Sequence, residues 1–449
     1  MSGTDLSDLT ARLLDAAKKA GAEAADAMAV DGTAVSIDVR QGALEQAERA
    51  EGVEIGLRVL IGGRQACVSA SDISDRTIGD MAERAVTMAR IAPEDPYAGL
   101  ADPSQLARDW DLAVLELNDP TEDPSAQALE EDALRLEAAA LGVEGITQVS
   151  AASASFTRQR VELAASNGFS GGYARSSRGL SGVAISGEGL KMERDYAGES
   201  RIFQSDLPSP EEVGRLAAER TVARQNPRRP KTGAYPVMID ERVSSSLISH
   251  LLSAVNGSSV ARGSSWLRNA MGEQVLPEGM SLLEDPHRVR VQGSRPFDAE
   301  GLPTAKRVIV ENGILKSWTL DLATARKLGL ESTGNASRGL SSAPGPAAGN
   351  IALTQGTKSQ SELLAEMGTG LLVTSFIGAT INPNTGDYSR GASGFWVENG
   401  QIVYPVNECT IAGNLRDMLR GLVAANDART HLSHVVPSLL VEGLTLAGE

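Results

Sequence analysis

The chain has 449 residues, well past the length at which one hydrophobic core stops growing, so two domains are expected. Its apolar and charged fractions, 41% and 22%, are ordinary for a globular protein, while aromatics at 4% are scarce and 46 glycines point to many turns and tight packing. A formal charge of -16 spreads a negative field over the surface and argues against nucleic acid and anionic membranes as partners.

At the start of the chain, Met1–Ala20 carries acids at Asp5, Asp8 and Asp15 and lacks an apolar core, so neither a signal peptide nor an anchor is expected there. Leu6, Leu9, Leu13, Leu14 and Ala17 instead have helical spacing, behind a cap at Thr4 or Ser7. Alternation then takes over. Val35, Ile37 and Val39, then Val53, Ile55, Leu57 and Val59, then Ala66 and Val68 after Gly62-Gly63, predict a meander of antiparallel hairpins. Helices are predicted over 76–90, 125–141 and 210–225, with a proline-broken connection between the first two. Residues 148–200 read as short strands punctuated by Asn167-Gly168, Gly171-Gly172 and Gly187-Glu188-Gly189.

The basic run Arg228-Arg229-Pro230-Lys231 reads as a solvated linker, which sets the expected organisation: an N-terminal domain over 1–225, a linker over 226–233 and a C-terminal domain over 234–449. Beyond the linker, alternating strands and two hairpin signals, Asn312-Gly313 and Asn399-Gly400, outnumber the helices. The fold class is therefore α+β. An N-terminal α/β domain with an antiparallel meander precedes a C-terminal antiparallel domain, barrel-like or sandwich-like, with a few helices.

The chemistry-bearing residues are few. Cys67 and Cys409 suit a reducing compartment rather than a disulfide framework, and no stretch approaches the roughly 20 apolar residues of a membrane span. A cytoplasmic protein is expected. His250 lies in a helical stretch without the neighbouring Glu of a zinc-peptidase motif, and His287 lies in a turn. His431 and His434 are three apart and are weak candidates to join Cys409 around a cation, with no acid evidently placed to orient them. Neither a Gly-x-Ser-x-Gly elbow nor a phosphate loop occurs. What remains are three clusters mixing glycine with acids and amides: 297–301, 386–395 and 410–415. They read as turns with φ > 0, or as the lining of a functional cleft.

Those clusters, with Ser258–Leu267, Pro286–Val289, Ala325–Leu328 and Ser332–Ser337, make the chain resemble the TldD/PmbA family, most strongly over 233–444. The resemblance implies one of two kinds of subunit. The TldD kind carries a His-Glu-x-x-x-His helix and a later Cys that bind a catalytic zinc. At the matching positions this chain has Ile248, Ser249 and Ser253, which cannot replace imidazoles and a carboxylate.

The resemblance therefore implies the PmbA kind, also called TldE. That is a metal-free, non-catalytic subunit without a cofactor of its own, pairing with a zinc-bearing TldD-like partner in an assembly that cleaves unfolded or modified peptides. Phe297, Asp298, Glu300, Asp387, Tyr388, Arg390 and Asn414 are the expected substrate or interface residues. Two alternatives stay open: a self-sufficient peptidase with an atypical site, and a regulatory binding protein of the gyrase-modulator type.

Overall fold

The computed structural model describes residues 5–449. The first helix, α1 (Leu6–Ala20), is capped by Asp5, whose carboxylate accepts from the amides of Ser7 and Asp8. Thr4, one of the two expected caps, lies outside the described residues. The expected meander follows as β1 (Ala24–Arg40), β2 (Ala43–Ile61) and β3 (Arg64–Ala70). After α2 (Asp75–Ile91) and α3 (Ala126–Leu141) come β4 (Ile146–Ala165), β5 (Ser170–Ser186) and β6 (Glu193–Arg201), then α4 (Pro210–Ala223).

The six strands form one antiparallel sheet in the order β3-β2-β1-β4-β5-β6. Strands β4 and β5, of 20 and 17 residues, are long rather than short. Gly171-Gly172 is no turn but lies inside β5, because the strand is crowded there: a Cβ on Gly171 would sit 2.8 Å from the Trp110 ring, and one on Gly172 would sit 2.6 Å from the Val161 carbonyl oxygen. The sheet is long enough to serve two cores. Ala25, Ala27 and Ala29 of β1 pack with α1 and α2, while Val35, Ile37 and Val39 pack with α3 and α4.

The C-terminal half is built on five strands: β7 (Gly233–Ile239), β8 (Gly370–Ile381), β9 (Asp387–Glu398), β10 (Gln401–Asn414) and β11 (Leu439–Ala447). They run β10-β9-β8-β7-β11, and Thr410–Ala412 of β10 pair with Thr445–Ala447 of β11, so the sheet closes into a barrel. The closed barrel, not a sandwich, is the form taken. All its pairings are antiparallel except β7 with β8, which are parallel.

Gly391 and Gly394, expected in turns, lie within β9. A Cβ on Gly394 would come 2.9 Å from Val373 Cα, so glycine there permits close approach of β8 rather than a bend. Thr410–Asn414 are likewise strand rather than turn. Between β7 and β8 the chain forms α5 (Glu241–Ala254), whose Leu247, Ile248, Leu251 and Ala254 join the barrel core, and part of a smaller five-stranded sheet that His434–Val435 completes. The Asn312-Gly313 and Asn399-Gly400 turns form as expected, all four residues having positive φ.

Arg228, Arg229 and Lys231 of the basic run are exposed, and the run is held against the barrel. Arg228 donates its amide to Pro405 O and lays its guanidinium over the Tyr404 ring, and Arg229 pairs with Glu408. The segment therefore lies along β10. The loop 336–342 reaches back to the N-terminal sheet, where the fully buried Arg338 side chain pairs with Asp26, itself 2.6 Å from Arg58 Nε.

Candidate functional site

The expected site residues fall into two groups. In the first, Phe297 packs edge-on against Trp110, Phe169 and Tyr173 at centroid distances of 4.9, 5.0 and 5.7 Å, between the barrel half and β5. Asp298 is 1% exposed, and its carboxylate accepts from the amides of Glu300, Leu302 and Ala336 at 2.9, 3.0 and 3.0 Å. Burial raises its pKa against those three donors.

Glu300, 8% exposed, accepts from the Leu322 amide. Burial first, and then the neighbouring Asp298, push its pKa up to about 8. Both acids thus close a tight loop, with Gly301 at φ 78, instead of projecting into solvent.

The second group lies at the start of β9 and the end of β10, beside α5. Asp387 accepts from Asn414 at 3.1 Å and from Thr385 at 2.6 Å, and these bonds lower its pKa. Asn414 also caps the short helix that follows. Tyr388 is buried, with its pKa pushed up to about 12 by that burial, and its ring meets His250 edge-on at 5.7 Å. Arg390 covers the Phe376 ring at 4.3 Å and donates to Gly378 O and to the Ser246 hydroxyl. Burial, and after it Arg390, push the His250 pKa down to about 4, so its ring stays neutral at physiological pH.

The positions that match the zinc helix sit on α5. Ile248 is fully buried in the barrel core, and the Ser249 and Ser253 hydroxyls each donate at 2.8 Å to the carbonyl one turn back, of Ser245 and Ser249. These residues do not fit a zinc ion. The weaker candidates are not brought together either. The Cys409 thiol donates to Ala392 O, and burial pushes its pKa up to about 11, whereas His431 stands 3.4 Å from Glu199, an acid that the sequence did not disclose as its neighbour. His434 lies in the small sheet, opposite Ile351. Among the described residues no three His, Cys, Asp or Glu side chains converge as a metal site requires.

A groove of about 710 Å³ runs between the β5–β6 face and the barrel, lined by Val183, Ile185, Met192, Tyr196, Ile377 and the Arg224–Ser393 contact. Beyond Val373, where its pairing with β7 stops, β8 pairs with β9 alone, so the edge that carries Ser375 and Ile377 is not covered by β7. The sequence reading missed this groove because it is assembled from strands some 190 residues apart. The only local signal is the apolar alternation of Val183 and Ile185 on the face away from the helices.

A six-stranded helix-backed sheet joined to a five-stranded barrel, with a core helix between β7 and β8, defines an α+β protein with clefts on both faces of its N-terminal sheet. Comparison places it more narrowly. Models of the PmbA/TldA metallopeptidase match in three parts: domain 1 at residues 25–89, the central domain at 119–225 and the C-terminal domain at 232–448.

The metalloprotease PmbA of Escherichia coli O157:H7 is 38% identical over 98% of this chain and 95% of its own, and a PmbA homolog of Haemophilus influenzae is 38% identical over 97% and 94%. A putative modulator of DNA gyrase from Bacteroides thetaiotaomicron superposes with a TM-score of 0.92 at 28% identity, each chain fully covered. TldE from Thermococcus kodakarensis shares the fold, with a TM-score of 0.83 at 19% identity over 98% of this chain and all of its own. The chain belongs to the PmbA/TldD metallopeptidase family.

Proposed function

We propose that this chain is the non-catalytic, PmbA- or TldE-type subunit of a two-component metallopeptidase of the cytoplasm. Its TldD-like partner supplies the zinc, and the assembly cleaves unfolded or modified peptides. The observation that carries this reading is α5. One position matching a zinc ligand is occupied by core Ile248, and the others by hydroxyls committed to the helix backbone. Zinc needs imidazole, thiolate or carboxylate donors, and activation of its water needs an open coordination position beside a base.

The groove supports the substrate class. An extended peptide that adds to the β8 edge would use main-chain hydrogen bonds, which discriminate unfolded from folded chains without reading sequence. Asp387, Tyr388, Arg390 and Asn414 order the β9–β10 end of the barrel, and Phe297, Asp298 and Glu300 order the loop against β5. Both regions are proposed to shape the chamber or the partner interface.

The test is to measure bound zinc and peptide cleavage for the purified chain alone, for a TldD-like subunit from the same organism, and for the two mixed. The reading expects a zinc-free, inactive chain that enters an active complex. Stoichiometric zinc or cleavage in the lone chain would overturn it, as would failure to associate.

A further inference from the structure

A second cavity lies on the opposite, helix-covered face of the N-terminal sheet. Its volume is about 270 Å³, far above the ~30 Å³ share of one liquid water. Phe156 and Ile202 form an apolar floor, and Glu122 and Glu131 stand exposed at the rim. Arg178 also lines it. That arginine sits on β5 in the phase that faces the helices, along with Ser176, Leu180 and Ala184, and is 4% exposed.

Its Nη2 donates to Asp132 at 2.6 Å, but its Nε and Nη1 have no hydrogen-bond partner among the described residues. The Nε of Arg158, which lines the same cavity, is also unpartnered, while its Nη2 is held by the Asp119 and Thr121 carbonyls and the Asp123 carboxylate. Asp119 cannot turn to serve Arg178, because its two oxygens accept from the amides of Thr121 and Gln204.

Each buried donor left unpaired costs about 1–3 kcal/mol, and more when the group is charged, so native proteins satisfy such donors with water or a ligand. Water alone would not need an apolar floor. We propose that this cavity binds a small ligand with a free carboxylate, an amino acid or the C-terminus of a short peptide. Its carboxylate meets the free Arg178 nitrogens, its apolar side chain lies on Phe156 and Ile202, and its ammonium lies toward Glu122 and Glu131. Fork-like guanidinium donors suit a carboxylate, and the acidic rim selects a ligand that is cationic at its other end. The inference does not depend on the place of the chain in a peptidase assembly.

The experiment is calorimetric titration of the full chain with L-leucine, with alanyl-leucine and with alanyl-leucine amide, repeated on Arg178→Met. Binding of leucine and dipeptide means that an amino-acid carboxylate suffices, and binding of dipeptide alone means that a peptide end is required. Either outcome supports the site, provided that the amide fails and Arg178→Met weakens binding by about tenfold or more, the loss expected for one charge-assisted hydrogen bond. If the variant does not fold, the comparison of acid with amide on the natural chain decides. Equal binding of acid and amide, no binding of any of the three, or a crystal soaked with the dipeptide that shows only waters on Arg178 would overturn the proposal.

Discussion

Replacing Asp26 by Asn tests whether a buried ion cluster fastens the C-terminal loop 336–342 to the N-terminal sheet. Asp26 accepts from Arg58 on β2 through one oxygen and from Arg338 through the other, and the three side chains are 4%, 4% and 0% exposed. Asparagine keeps the volume, so no cavity term enters. It does leave two buried guanidinium groups without their carboxylate: Arg58 keeps a bond to Gln65 at 3.2 Å, and Arg338 keeps a long one to its neighbour Gly339 O at 3.4 Å.

Removing one partner of a buried pair costs about 3–5 kcal/mol, and two stranded cations place this variant at the upper end. Arg338→Met is the control. It leaves the Asp26–Arg58 pair intact and should cost only about 1.5–3 kcal/mol, the worth of one hydrogen bond to a charged group. Urea unfolding followed by circular dichroism, with unchanged slope, gives both values. Amide exchange should accelerate in 336–342, which lies so close to β2 that a Cβ on Gly56 would come 2.8 Å from Leu340 Cα. An Asp26→Asn variant within about 1 kcal/mol of the parent, or less damaged than Arg338→Met, would refute the reasoning.

Glu300 gives a pH prediction. Its folded pKa of about 8 lies above the ordinary 4.5, so the stability it contributes is fully present below about pH 4.5 and is lost as pH rises toward about 8. Glu300→Gln should flatten that decline and be roughly a few kcal/mol more stable than the parent near pH 8, and an unaltered pH slope in urea unfolding would sink the claim. Gly214→Ala sets two effects against each other. Alanine improves α4 by ~1 kcal/mol, but its Cβ would run into the Leu136 carbonyl oxygen of α3, an overpacking cost of about 1–3 kcal/mol or more. A lower thermal midpoint is expected, and a raised one would show that the helices part more easily than the packing implies.

What could be read from the sequence was whatever depends on near neighbours. Helical periodicity located α1, α2, α3 and α4, and the Asn-Gly pairs at 312–313 and 399–400 marked turns because both residues must be left-handed there. Glycine misled where its purpose was different. At Gly171, Gly172 and Gly394 it makes room for a ring or a neighbouring backbone inside a strand, and nothing in the letter separates that use from a turn. Barrel closure depends on pairing β7 with β8, more than a hundred residues apart, and β10 with β11, which no local window contains. The buried charges left a partial trace. Asp26 is a lone acid within the run Ala24–Val30, and Arg178 occupies an inward position on an alternating strand, but Arg338, the partner of Asp26, lies 312 residues away.

The same division explains why the candidate residues separated into two groups, and it bears on how a peptidase fold comes to carry a subunit without zinc chemistry, the reading proposed above. On α5 the core face and the open face answer to different constraints. Leu247, Ile248, Leu251 and Ala254 are held by packing, so a polar ligand at 248 would need burial at a position that is 0% exposed. Ser249 and Ser253 answer only to the helix, which takes up their hydroxyls. A metal site placed across both faces needs its core ligand and its open-face ligands together, because any one alone binds nothing. With an aliphatic residue at the core position, packing favours keeping it there, and serines on the open face satisfy their hydroxyls within the helix. The barrel, the groove and the loop against β5 depend on neither face for zinc, so in the proposed reading they stay available to substrate and partner.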